Sequence, residues 1–565
     1  MRLALAMSAM VVLAGSHATV RSAEAQSASL DARAPYIRIL DALRASDSVL
    51  PPRLPRVELY GMYNREAPVP PQCYTRTEGQ HNPCYVCHQN ALPGRENVMN
   101  DFDLQKEYRF SETGTSNHWS NLFKDRSADV ARISDADILS WIGQDNYSEL
   151  PARLEAADFK GWIPDLANLQ DGAEAFDESG FARDRSGWVA INYKPLPSTF
   201  WPTNGATDDV MIRLPEAFRQ DAKRLPSRDV YAANLGILEA NIKATQWIGT
   251  LPIDERKVGV DLDGDGHLAR VQRIRARASY VGGAQAIAAE PSIFPEGTEF
   301  LHTVRYVGVN ARGEIVPSRR IKEVRYMRRW LASSREDLKT WYEAENIEKN
   351  QGELPAYVNF GHRGLGGPMG WQISGFIEDR NGRLRANTFE ETMFCMGCHN
   401  SIGTTVDKTF SFVRKRDGAA GWGYINLHGM ADAPNVGETR GEIATYLERV
   451  GGGSEFRSNP EMQARWYRAD GTVNFDAVLS ARDVYDLITP SRERALMLNK
   501  AYRVIVSEQS YIFGRDPTVT PPKNVYDVVR AENAPTLPDT RQFKWNMQLD
   551  WHPAAARGLL TDGRR

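Results

Sequence analysis

Four of the five cysteines fall in two copies of one pattern, Cys84-Tyr85-Val86-Cys87-His88 and Cys395-Met396-Gly397-Cys398-His399. Two thiols three residues apart on one helical turn share a face, so each can form a thioether to a haem vinyl group while the adjacent imidazole reaches the iron as proximal ligand. Covalent attachment keeps the cofactor in place through redox cycling. The same C-x-x-C spacing also serves disulfides and half-sites for zinc. A zinc site pairs two such motifs at short range, whereas these are roughly 300 residues apart. A redox disulfide has no need of a following histidine in both copies. The pattern therefore predicts two covalently bound haem c groups, one on Cys84, Cys87 and His88 and one on Cys395, Cys398 and His399.

The occupant of each iron's sixth position separates carriers from catalysts: a second His or a Met suits electron transfer, and an open position suits peroxide, oxygen or another substrate. The histidines outside the two motifs and the N-terminal segment are His81, His118, His267, His302, His362, His428 and His552. His302, flanked by apolar strand residues, and His428, in Asn426-Leu427-His428-Gly429-Met430 downstream of the second motif, are the candidate distal ligands. Met430, Met369 and Met62 are alternatives, against the ordinary use of Met as core filling. Arg305 near His302 and Arg363 near His362 are either distal cations for a bound oxyanion or solvated surface charges. Cys73 is the odd thiol. In an oxidising compartment it is a distal thiolate, a cross-link, an intermolecular bridge or an inert buried group.

Asp261-Leu262-Asp263-Gly264-Asp265-Gly266-His267 matches the first half of a calcium loop, with carboxylates at positions 1, 3 and 5 and Gly at 6 for the sharp turn. Position 12 of the 261–272 stretch is Gln272 instead of the bidentate Glu, so the expectation is modest Ca2+ affinity through Asp261, Asp263 and Asp265. A solvated acidic turn is the alternative, disfavoured because aligned carboxylates repel unless neutralised.

On the two five-residue motifs the chain resembles di-haem c-type cytochromes. That resemblance implies a periplasmic protein exchanging electrons with other redox proteins. The alternative it implies is a di-haem oxidoreductase (a peroxidase, an oxygenase or a sulfur-compound dehydrogenase) with one catalytic and one electron-transfer haem.

Compartment and elements fit that expectation. Arg2, the apolar run from Leu3 to Ala14 and the A-x-A site Ala23-Glu24-Ala25 read as a cleavable secretory signal over 1–25. That run is too short to span a bilayer and no later stretch reaches 18 apolar residues, so no membrane span is expected in the mature chain. Net charge of −3 from 69 basic and 72 acidic residues gives no reason to expect nucleic acid or an anionic membrane as partner.

The predicted fold class is α+β: two mainly helical, loop-rich haem-binding regions, 26–165 and 361–565, separated by a strand-rich middle over 166–360. Helical patterns fall at Asp135 to Ile142, Tyr147 to Ala157, Gly441 to Val450 with a stop at Gly451-Gly452-Gly453, and Ser491 to Tyr511. Asn82-Pro83 leads from loop into the first motif. Alternating segments at Asp209 to Leu214 and Phe300 to Val307 read as strands, and Asn310-Ala311-Arg312-Gly313 turns a long hairpin. The Gly-rich run Gly361 to Gly370 is expected to pack against a haem face.

Overall fold

The computed structural model describes residues 40–552 apart from 53–61, 77–83, 91–99, 107–108, 198–200, 354–356, 368, 401–404, 451–458, 531, 535 and 545. The signal segment 1–25, His81, the Asn82-Pro83 turn and the Gly451-Gly452-Gly453 stop lie outside the described residues.

The fold is α+β, built on a mainly antiparallel sheet. Its strands are β1 (Val189–Ile191), β2 (Thr207–Arg213), β5 (Glu299–Val309), β6 (Ile315–Arg329), β7 (Val358–Asn359), β8 (Leu365–Gly366), β9 (Trp371–Glu378) and β10 (Leu384–Ala386). They pair in the order β1-β2-β5-β6-β9-β8-β7, with β10 on β9, while β3 (Trp247–Asp254) and β4 (Arg270–Arg275) form a separate two-stranded sheet. The central hairpin forms where the turn residues predict it. Asn310 and Gly313 close the β5–β6 turn, and Gly313 takes a φ of 80° that side chains disfavour.

Alternation decides what each face carries. The cross-strand row Ile212, Phe300, Met327 and Ile373 faces one core, and the next position along, Met211, Leu301 and Tyr326, faces another. His302 belongs to the first face, in the row Val210, His302, Arg325 and Gly375. A shift in register between Val304 and Arg305 bulges the β5–β6 ladder just beyond it.

The helices that position the motifs and their neighbours are α1 (Cys84–Cys87), α2 (Asp135–Ile142), α3 (Leu150–Ala156), α4 (Arg228–Ile242), α5 (Arg335–Asn350), α6 (Phe389–Asn400), α7 (Glu442–Val450) and α8 (Arg492–Glu508). Ser134 caps α2 and Ser491 caps α8, each accepting a backbone N–H bond in the first turn. α4 and the motif helix α6 share the first core with the His302 face. The Gly-rich run Gly361 to Gly370 contributes to the sheet. It folds into a turn and strand β8, which bonds to β9 and touches α6. Gly364 has a φ of 94°, and a Cβ there would meet the Ile373 carbonyl oxygen at 1.9 Å. Residues near the C-terminus return to the first motif's neighbourhood: Val525 bridges Thr75, and Tyr526 N–H donates to Tyr74 O.

Candidate functional site

The fold brings the two C-x-x-C-H motifs together. The second lies on α6, whose N-terminus is fixed by reciprocal bonds: Glu391 N–H donates to Thr388 Oγ1 (3.2 Å) and Thr388 N–H to the Glu391 carboxylate (2.8 Å). Glu391 is further held by Arg385 at 2.8 Å. The segment leading to the first motif crosses this helix. A Cβ at Gly397, inside the second motif, would lie 1.8 Å from the Pro68 carbonyl oxygen. Trp119 locks the crossing, donating from Nε1 to Val69 O (3.0 Å) and packing edge-on against Phe394 of α6.

Cys395 is buried, and Cys73, Cys87 and Cys398 are half-buried. Burial pushes Cys73 up, and Cys84 and Cys398 add to the shift, so the odd cysteine stands within electrostatic reach of both motifs. Burial likewise raises Cys87, with Cys398 and Cys73 contributing, and takes Cys398 to about 11. Thiols held protonated in this way are unsuited to a thiolate nucleophile, which runs against the disulfide-exchange reading of C-x-x-C. Among the described residues no three of these Cys and His ligand atoms crowd within 4.8 Å, as one tetrahedral ion requires.

Both imidazoles are tethered through the same nitrogen. His399 Nδ1 lies 3.1 Å from Lys408 O, and a carbonyl only accepts, so Nδ1 carries the proton and Nε2 keeps its lone pair. Burial lowers His399 to about 4, keeping it neutral at pH 7. His88 Nδ1 lies 3.0 Å from Asp101 Oδ2, a carboxylate that also pairs with Lys349 at 3.3 Å. Gln105 bridges the neighbourhood by donating to His88 O and to Phe543 O. A histidine whose Nδ1 is held by a carboxylate or carbonyl is pre-oriented for metal ligation through Nε2.

The candidate distal ligands separate. His302 reaches the second motif: burial pushes its imidazole well down, and Arg325 and His399 add to the effect, so the two rings are electrostatic neighbours. Met430 is fully buried in the cluster that holds Tyr85, Val86 and, at its margin, Cys87. His428 is not brought to either motif. It is exposed, stacked on Tyr485 at 3.9 Å and 3.9 Å from Asp483. Met369 packs with Ile293, Leu338 and Tyr342 in a different cluster. Met62 packs at the edge of the first core.

Arg305 is neither a distal cation nor a surface charge. It is fully buried and fixed by Asp209, Thr303 and the carbonyls of Leu169, Gln170 and Ser318. Its cross-strand partner is Thr207, two residues from Asp209, which puts it on the sheet face opposite His302. Arg363 is exposed over Phe360. The cations that do face the second motif are Arg325, which pairs with Glu323 at 2.9 Å, and Arg515, which pairs with the same carboxylate at 2.6 Å. Nothing local in the sequence marks Asp101, Lys408, Arg325 or Arg515 for these places, since each arrives from a distant segment.

The acidic loop gathers a different trio from the one expected. Glu255, Asp261 and Asp263 place carboxylate oxygens within 4.8 Å of one another, and Asp265 is outside the group. Asp265 instead accepts from His267 N–H. Glu255, buried at the start of a short helix before the loop, accepts from the N–H groups of Leu262, Asp263 and Ala269 and so clasps the loop from outside.

A family model described as "-like lipoprotein" matches residues 57–482, a span that includes both motifs. The chain belongs to this lipoprotein family. It is also 32% identical over 511 residues to an "Uncharacterized lipoprotein" of Aquifex aeolicus (strain VF5), covering 80% of this chain and 86% of that protein. No solved structure matches the chain. The family overturns the resemblance to di-haem c-type cytochromes, and with it the cytochrome and electron-transport classification. That resemblance rested on two five-residue stretches, while the lipoprotein match runs through most of the chain. Lipoprotein membership makes the chain an exported protein, in agreement with the signal expected over 1–25. No described helix is long and apolar enough to cross a membrane.

Proposed function

We propose that this lipoprotein-family member is an exported redox protein. In this reading Cys84 and Cys87 with His88, and Cys395 and Cys398 with His399, each hold one covalently attached haem c, and the chain exchanges electrons with exported partner proteins. The observation that carries it is the convergence of two motifs distant in sequence, each with its imidazole tethered at Nδ1, which leaves Nε2 as the nitrogen for a metal. When bound, haem supplies reversible one-electron chemistry at iron. The chain's own part is to orient: Asp101 and Lys408 O fix the proximal rings, and Arg325 and Arg515 set a positive field beside the second motif. His302 is the distal candidate for the second motif and Met430 for the first. A catalytic variant, a di-haem oxidoreductase with the second iron open, draws its support from those two buried cations, which suit a bound oxyanion.

The finer localisation proposed is periplasmic, free of the membrane after cleavage beyond Ala25. The nearly balanced charge favours protein partners over nucleic acid. Ca2+ is proposed at Glu255, Asp261 and Asp263. The test of the redox reading is a reduced-minus-oxidised visible spectrum of protein exported from cells able to attach haem, compared with C84S/C87S and C395S/C398S. Each double variant is expected to lose half of the absorbance.

A further inference from the structure

Helix α5 reaches both C-x-x-C-H motifs through side chains one turn apart. Lys349 pairs with Asp101 Oδ2 at 3.3 Å, the carboxylate oxygen that also holds His88 Nδ1 at 3.0 Å. Glu345 pairs with Lys408 Nζ at 3.4 Å, and the carbonyl of the same Lys408 holds His399 Nδ1 at 3.1 Å. Residues four apart share one face of a helix, about 6 Å along its axis. A single element thus meets the tethers of two imidazoles that lie roughly 300 residues apart in sequence.

The seat of α5 is fixed at both ends. Ser334 and Asp337 close its first turn by reciprocal bonds of 2.9 and 3.1 Å. Leu338 and Tyr342 pack with Ile293 and Met369, and Lys408 Nζ lies 4.3 Å from the centre of the Tyr342 ring. At the far end Asn350 Oδ1 accepts from Arg109, in the segment that follows Asp101. Lys408 is held from its own side as well. Asp407 and Lys408 take φ of 45° and 63° in a turn closed by Val406 and Thr409, each donating its N–H to the other's carbonyl. Arg329 anchors that turn through Asp407 at 2.6 Å.

The four charged residues are shut away from water: Asp101, Glu345 and Lys408 are at most 2% exposed, and the Lys349 side chain is 10% exposed. Burial pulls Lys408 down to about 8, and Glu345, Lys349 and Asp101 all act on it, so the two pairs share one neighbourhood. Charges in such surroundings are weakly screened and act beyond their immediate partners. We propose that Glu345 and Lys349 are positioning residues for the two haem sites, each holding the tether of one proximal imidazole from the shared helix α5. The redox consequence rests on the haem attachment proposed above, and the structural one on the ion pairs alone.

Potentiometric titration of the haem-loaded chain reads the redox consequence. Lys349→Met removes a positive charge from Asp101 and is expected to lower one potential, shifting that haem about tenfold toward its oxidised form at fixed potential. Adding Asp101→Asn to the same chain is expected to cancel most of that shift. Glu345→Gln removes a negative charge beside the other tether and is expected to raise the other potential. Unmoved potentials in both single variants, or the same haem moved by both, would overturn the proposal. If the wild type carries no haem, the redox reading fails by itself, and thermal unfolding still decides the role of the helix. The loss of Tm in Asp101→Asn/Lys349→Met is expected to be smaller than the sum of the two single losses, and additive losses would overturn the pairing.

Discussion

The carbonyl oxygen of Pro68 occupies the space that a Cβ at Gly397 would need, 1.8 Å from where that atom would be built. The contact joins the segment entering the first motif to the turn of helix that carries the second. Neither backbone can yield cheaply, because Trp119 bonds to Val69 O and packs on Phe394. Gly397→Ala is therefore expected to cost about 2–4 kcal/mol. Thermal unfolding of the purified variant checks this, and an unchanged Tm would show that the two segments are not in contact.

His88 and Asp101 form the corresponding relationship at the first motif, 3.0 Å apart, with Lys349 on the same carboxylate. Asp101 acts as a positioning residue: its carboxylate orients the ring and places negative charge beside it. In the haem-loaded protein, Asp101→Asn is expected to move one of the two reduction potentials upward and leave the other in place. A potentiometric titration followed in the visible region reads this directly. Two unmoved potentials would remove Asp101 from the account.

Asp208 titrates differently in the folded and unfolded chain. Burial lifts it to about 7 against the ordinary 3.8, so the folded state binds more protons between those values. Its contribution to stability is present in full below about pH 4, falls as the pH rises, and is gone above about 7. The stability of the wild type relative to Asp208→Asn is thus expected to decline by about 1–3 kcal/mol from pH 5 to pH 8. Paired denaturant titrations at the two pH values measure the difference, and a flat difference contradicts the burial of this carboxyl.

At the acidic loop the trio Glu255, Asp261 and Asp263 makes a residue-specific forecast. Ca2+ is expected to raise the Tm by several degrees, and Asp263→Asn to abolish that rise while Asp265→Asn retains most of it. The opposite ranking would restore the linear loop reading in which Asp265 is the third ligand.

Much of the local structure was legible because local rules decide it. Alternation over 209–214 and 300–307, the Asn310 to Gly313 turn, and the capped helices at 135 and 492 all follow from residue types within a few positions. The site was legible only in its attachment residues. His428 looked well placed because it follows the second motif in sequence, yet the chain carries it to Tyr485 on another surface. His302 reaches His399 only through the pairing register of β2, β5 and β6, which sets which strand positions face α6. Glu255 replaces Asp265 because a buried carboxylate from before the loop reaches its backbone, a contact that no linear motif encodes. Family was the least legible level, since two short motifs outweighed the unremarkable remainder of the chain.

Intact-mass spectrometry tests most directly whether both C-x-x-C-H motifs carry covalent haem. Protein exported from cells able to mature such motifs, and measured under denaturing conditions, should show the polypeptide beginning at Gln26 plus two haem groups. The polypeptide mass alone, from the same cells that load a control protein, would contradict the account.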